Sequence, residues 1–184
     1  MKFTRLEIPD LILCEPEVFS DDRGYFYETF RQDKLDDFLG YSLKFYQDNE
    51  SKSKFGVLRG LHYQLPPYAQ TKLVRVIEGT VLDVALDIRK GSPSFGKHLA
   101  IELNSNSKKQ LLIPRGFAHG FLVLSNEAIF SYKVDNQYNK GSERGIAFND
   151  QKINIDWKIE RDQLQLSKKD IRQPLFENAK YFKY

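Results

Sequence analysis

A single cysteine, Cys14, stands in a chain of 184 residues. No disulfide can close within the chain and no multi-cysteine metal site can form. A lone cysteine suits a reducing compartment. The chain also lacks any run of about 18 apolar residues, the length a membrane helix requires. Met1–Asp10 has no long apolar stretch behind its first basic residues. No signal peptide is expected, and the protein is expected to work in the cytoplasm. Neither sign of charge dominates: 28 Lys and Arg face 25 Asp and Glu, a net of +3, and the cations are spread among the acids. Nucleic-acid and membrane partners are therefore not expected, while a modest positive balance suits an anionic ligand. No linker, internal repeat or low-complexity segment interrupts the chain, so residues 1–184 are expected to form one domain.

Aromatic residues are plentiful, with 14 Phe and 10 Tyr. They favour strands and line ligand pockets. Lys72–Glu78 (KLVRVIE) alternates apolar and polar residues, and Val81–Ile88 (VLDVALDI) is a strand-length, mostly apolar run. Gly79-Thr80 lies between them as a turn, which predicts a β-hairpin. Lys97–Leu103, Leu111–Ile113, Gly120–Leu124 and Ala128–Val134 read as further strands, separated by turn-forming residues such as Pro114-Arg115-Gly116. Short strands recurring about every 8–12 residues predict a sandwich or barrel. Nearly all of that pattern lies between Ser53 and Val134. A helix is predicted at Gln32–Phe38, ahead of Gly40, and a second near the C-terminus. Met1–Arg31 reads as an arm with strand-like pieces, including Tyr25–Phe30, expected to lead into the barrel and to pair with another subunit.

Five segments carry residues suited to chemistry. In Arg59-Gly60-Leu61-His62-Tyr63-Gln64, arginine and histidine three apart fall on opposite faces of a regular strand, but the glycine between them allows a bulge that brings both to one site. Histidine is the side chain best suited to exchanging a proton at physiological pH, which makes His62 a candidate base; the plainer reading is a hydrogen-bonded strand histidine. Pro114-Arg115-Gly116-Phe117-Ala118-His119-Gly120 puts a second histidine just after a turn, where it serves a ligand or only bonds to backbone. Gln47-Asp48-Asn49, with Ser51 and Ser53, is suited to a sugar or a phosphate, or is simple loop polarity. Asp21-Asp22-Arg23-Gly24-Tyr25-Phe26-Tyr27-Glu28 offers Arg23 for bidentate phosphate binding, or is a charged surface turn. Tyr132 is a general acid or a core aromatic, and Asp170 orients an imidazole or belongs to a solvated charge run. His98 reads as structural or surface.

Seven blocks in order resemble one family: DDRGYFYETF at 21–30, QDNESKS at 47–53, RGLHYQ at 59–64, KLVRV at 72–76, DVALDIR at 83–89 with SPSFG at 92–96, IPRGFAHGF at 113–121 and YNKGSERGIAFND at 138–150. Together they resemble the dTDP-4-dehydrorhamnose 3,5-epimerases, over about residues 3–175. The resemblance implies an all-β, cupin-type jelly-roll barrel with short flanking helices, its core at about 45–150 and the N-terminal arm and C-terminal segment packed on it. It implies a homodimer with arm exchange, no cofactor, no metal, and a dTDP-4-keto-6-deoxy sugar as substrate. It assigns His62 as base, Asp170 as its paired acid, Tyr132 as proton donor on the other face, and Lys72 to the keto oxygen. Arg59 and His119 fall at the phosphate and sugar. Gln47, Asp48, Asn49, Glu143 and Lys168 fall at further substrate contacts. Arg23 and Glu28 fall at contacts that a partner subunit can supply, Tyr138 at an aromatic that stacks on thymine, and Phe26 in the same region. Two positions depart from the pattern: Glu50 after QDN, and Phe148 where tryptophan is frequent.

Other readings remain open on sequence. A close relative inverting one carbon, or acting on another nucleotide-linked keto sugar, shares the same His, Tyr and Asp. A metal-dependent cupin oxygenase needs several histidines, and here Gln64 stands where the second histidine of an HxH pair falls. A non-catalytic sugar-binding barrel keeps the fold without the chemistry.

Overall fold

A computed structural model describes residues 1–184. Its strands, in chain order, are β1 (Lys2–Arg5), β2 (Ile12–Glu15), β3 (Val18–Asp21), β4 (Gly24–Tyr27), β5 (Gln47–Lys54), β6 (Val57–Gln64), β7 (Lys72–Glu78), β8 (Thr80–Asp87), β9 (Arg89–Lys90), β10 (His98–Asn104), β11 (Gln110–Ile113), β12 (Phe117–Val123), β13 (Glu127–Val134), β14 (Glu143–Gly145), β15 (Gln165–Leu166) and β16 (Phe182–Lys183). One helix, α1 (Gln32–Leu39), sits where the sequence predicts it. Leu35 is buried, and Gly40 ends the helix in the left-handed conformation at φ 78°, donating its N–H to Asp36 O.

The strands form two facing sheets. Sheet one runs β1-β2-β11-β7-β13-β5, and sheet two runs β10-β8-β12-β6-β14 with β15 beside β6. From β5 to β8 the chain changes sheet at every connection, and it does so again from β10 to β13. The result is the jelly-roll barrel that the family resemblance implied. Its interior is filled by Val74 and Phe130 from sheet one and by Val81, Ala85, Phe121 and Val123 from sheet two.

The predicted hairpin between Lys72–Glu78 and Val81–Ile88 does not form. Both strands exist, but β7 lies in sheet one and β8 in sheet two. Gly79 turns the chain from one layer to the other at φ 82°, and a Cβ there would lie 2.2 Å from Glu127 O. β8 fails to alternate because both its faces are covered. Val81 and Ala85 face the barrel interior, while Leu82, Val84 and Leu86 pack outward under Ile146, Phe148, Ile153 and Trp157.

The second predicted helix is also absent. The C-terminal segment makes three short 3-10 turns, Arg161–Gln163, Asp170–Arg172 and Phe176–Asn178. Extended backbone at Leu164 and Gln173 ends the first two turns, and the segment instead spreads Trp157, Leu164 and Phe176 over the outside of sheet two. The N-terminal arm divides. β1 and β2 belong to sheet one, because the apolar Ile12–Cys14 stretch pairs with β11. Only β3 and β4 stand apart, as a two-stranded ribbon that ends at Tyr27 rather than Phe30. No helix is long and apolar enough to cross a membrane.

Candidate active site

A cavity of about 880 Å³ opens between the two sheets. Sheet one contributes Lys72, Phe130 and Tyr132, sheet two contributes Arg59, His62, His119 and Phe121, and the segment from Leu164 to Ile171 closes one side. The cavity thus gathers six of the residues singled out from sequence: His62, Tyr132, Asp170, Lys72, Arg59 and His119.

Arg59 and His62 reach it together because β6 is irregular. His119 pairs with His62 and Phe121 with Arg59, and the register slips between these pairs. Gly60 sits at the slip with φ 139°, and a Cβ there would lie 2.5 Å from Gly120 Cα. Two glycines facing each other therefore make the slip sterically possible. Arg59 Nε donates to Ser53 Oγ at 3.1 Å, which braces the guanidinium against β5.

Each histidine of the cavity is backed by a carboxylate. His62 Nε2 lies 2.5 Å from Asp170 Oδ1, and Ser167 Oγ donates to Asp170 Oδ2 at 2.7 Å. Burial pushes the Asp170 carboxyl up, but hydrogen bonds from His62 and Ser167 and the charge of Lys169 outweigh it and hold the group below the usual range. Asp170 is therefore an acceptor and Nε2 the donor to it, an arrangement that leaves Nδ1 as the acceptor nitrogen of the neutral imidazole. His119 Nε2 lies 2.9 Å from Asp83 Oδ2, and Asp83 is fully buried on β8. Burial lowers the His119 pKa, partly opposed by Asp83. Asp83 Oδ1 is a buried polar atom with no hydrogen-bond partner in the protein.

The opposite wall is different. The Lys72 ammonium and the Tyr132 hydroxyl have no protein partner and face the cavity. Burial lowers the Lys72 pKa to about 8, against the opposing pull of Asp83 and Glu143. Burial raises the Tyr132 pKa; Arg59 works against that rise and Glu143 adds to it.

The remaining predicted residues lie outside the cavity. On β5, Gln47 and Asn49 point inward on alternate positions, joined at 2.6 Å, and Asn49 pairs across to Tyr132. Asp48 faces the other way and holds Lys133 at 2.9 Å. Glu143 on β14 receives Tyr138 Oη at 3.0 Å and also binds Lys169, making a polar cluster beside the cavity rim. Lys169, not Lys168, lines the wall, and Lys168 is exposed without an ion pair. Arg23 sits at the tip of the β3–β4 ribbon, bound to Asp21, and Phe26 is 68% exposed beside it. Glu28 pairs with Arg31 and Lys34. None of these three lines the cavity. No three His, Cys, Asp or Glu side chains gather at metal-binding separation.

Sequence reading missed Asp83, Ser167 and Lys169. A carboxylate inside the apolar run VLDVALDI was the available signal for Asp83, and the Ser-x-x-Asp spacing for Ser167.

Residues 5–178 match the family model described as dTDP-4-dehydrorhamnose 3,5-epimerase. The chain is 53% identical over 182 residues to the dTDP-4-dehydrorhamnose 3,5-epimerase of Shigella flexneri, covering 99% of each. It superposes with TM-score 0.95 and 43% identity on a dTDP-6-deoxy-D-glucose-3,5-epimerase of Legionella pneumophila in complex with dTDP-4-keto-L-rhamnose, covering 100% of this chain and 98% of that one. A 3'-monoepimerase of Streptomyces bikiniensis in complex with dTDP-quinovose superposes with TM-score 0.87 and 30% identity, over 94% and 86% of the two chains.

Proposed function

This chain belongs to the dTDP-4-dehydrorhamnose 3,5-epimerase family, and on that premise we propose that its cavity inverts carbons 3 and 5 of dTDP-4-dehydro-6-deoxy-D-glucose, giving dTDP-4-dehydro-L-rhamnose. The observation that carries this reading is the placement of His62 and Tyr132 on opposite sheets of one cavity. Inversion beside a ketone requires a proton to leave one face of the sugar and another to arrive on the opposite face.

The chemistry follows from the side chains. A proton on a carbon flanking a ketone is acidic because the resulting carbanion delocalises into an enolate. His62 Nδ1 takes that proton, and Asp170 steadies the imidazolium formed. Lys72 sits where an ammonium stabilises the enolate oxygen as charge develops. Tyr132 returns a proton from the other wall, and burial suits it to this by keeping the phenol protonated. No electron changes hands, so no redox cofactor enters these steps. Arg59 and His119 take the diphosphate and the sugar, with Gln47 and Asn49 nearby. Tyr138, Glu143 and Lys168 contact the nucleotide from the rim. Asp48 is left out of this set because it faces away from the cavity.

The reading extends to assembly and place. The whole chain works as one domain within a homodimer, and the β3–β4 ribbon crosses to a second copy, carrying Arg23, Phe26 and Glu28 toward its cavity. Exposed Phe19, Tyr25 and Phe26 on that ribbon support this, because apolar surface of this kind favours burial against a partner. Light scattering giving the mass of one chain would sink the exchange. The cytoplasm is the proposed location, and the single unpaired Cys14 suits it.

Proton NMR of the protein with dTDP-4-keto-6-deoxyglucose in deuterated water tests the activity. Deuterium entering both carbons beside the ketone is the expected result. Exchange at one carbon alone would support the second reading, single-site epimerisation, which the likeness to the 3'-monoepimerase keeps in view. No exchange from folded protein would overturn both.

A further inference from the structure

We propose that Ser167 is a positioning residue for the His62–Asp170 pair, its hydroxyl fixing the carboxylate so that one oxygen faces the imidazole. Asp170 sits at the start of a 3-10 turn of only three residues, on a segment whose one strand pairing before that turn is the two-residue match of β15 with β6. Such a segment restrains a side chain far less than a long strand does. The terminal torsion of an aspartate is also broad, so the backbone alone does not decide which way its oxygens point.

Ser167 supplies the missing restraint from both sides. Its Oγ donates to Asp170 Oδ2 at 2.7 Å and accepts from the Asp170 N–H at 3.1 Å. The first bond occupies one carboxylate oxygen and leaves Oδ1 for His62 Nε2 at 2.5 Å. His62 and Ser167 are the only side chains bonded to this carboxylate, which is 4% exposed. Ser167 itself lines the cavity. Two donors, Ser167 Oγ–H and His62 Nε2–H, therefore converge on one carboxylate, and the way Ser167 turns that acceptor sets the tautomer of the imidazole.

A simpler role would be capping of the turn, since serine three residues before an acid commonly accepts a backbone N–H. The two roles use different halves of the hydroxyl. Threonine keeps both the donor and the acceptor. Aspartate keeps the acceptor, loses the donor and sets a second negative charge against Asp170. Alanine loses both.

The inference rests on His62 being the base only where it predicts rates, so the experiment reads rate and ring state separately. Nitrogen-15 NMR of the imidazoles in ligand-free protein is expected to show His62 as one tautomer, protonated on Nε2, in the wild type and in Ser167→Thr. A tautomer mixture is expected in Ser167→Ala and Ser167→Asp. In parallel, kcat should fall roughly 10-fold in the alanine and aspartate variants and recover in threonine. A single Nε2 tautomer and full kcat in Ser167→Asp would overturn the proposal and leave capping alone. An unchanged tautomer in Ser167→Ala would overturn it as well. Disturbed tautomers in a protein whose wild type does not exchange sugar protons would uphold the positioning role and remove the proposed reaction instead.

Discussion

The two walls of the cavity are built on different terms. On sheet two, His62 and His119 each rest against a carboxylate, Asp170 and Asp83, both almost wholly buried. On sheet one, Lys72 and Tyr132 reach the same space with their polar ends unpaired. The first wall is organised before any ligand arrives. The second has charge and a proton to give, and only a ligand can complete its hydrogen bonds. The difference matches the proposed division of labour: a base must be aimed in advance, whereas groups that meet a developing oxyanion act on charge that exists only during reaction.

Removing the base should break the comparison most completely. His62→Ala is expected to lower kcat by about 10⁴-fold while nucleotide affinity, measured by calorimetry, stays near wild type; equal loss of binding would make the wall a binding surface. Lys72→Ala should lower kcat by about 10³-fold. The same lysine sharpens the contrast through pH. With its pKa lowered to about 8, its charge and the free enzyme's kcat/KM should fall as pH rises through about 8. Its effect on stability has the opposite sign. An unfolded lysine keeps its proton to about 10.5, so between about 8 and 10.5 the unfolded state binds more protons and this group favours folding increasingly as pH rises. Activity lost with thermal stability held or raised above pH 8 is the expected pattern, and an alkaline limb that survives in Lys72→Ala would assign it to another group.

Tyr132→Phe should cost about 10²-fold at one inversion at least, read as unequal deuterium entry at the two carbons. Asp83→Asn tests whether the second histidine is aimed as the first is. It should cost roughly 10-fold, mostly in kcat; an unchanged enzyme would mean that only His62 is held in advance. The smallest effect belongs to the ribbon. Arg23→Ala should raise KM by roughly threefold, the loss of one exposed charge-assisted contact, and leave kcat alone. No change in KM would confine the site to one chain.

Much of this was legible in the residues. Strand lengths followed from alternation and turn glycines, and α1 was read at Gln32–Phe38, ahead of Gly40. The Arg59–Gly60–His62 spacing already carried the bulge that the structure contains. Pairing was not legible. Gly79-Thr80 looks like a hairpin turn locally, and only the second buried face of β8 shows why the chain leaves its neighbour for the other sheet. Asp83 escaped notice for a related reason: a carboxylate in an apolar strand declares itself only when His119 is found against it. Lys168 and Lys169 are equivalent in sequence, and the short turn at Asp170–Arg172 decides which one lines the wall.

Asp170 follows His62 by 108 residues. During synthesis the imidazole therefore leaves the ribosome well before the carboxylate that fixes its proton. A product ending before Ser167 would contain every strand of the two main sheets from β1 to β14 and yet hold an unaimed histidine. The imidazole and the carboxylate that fixes its proton are thus brought together by the fold alone, across most of the barrel's sequence.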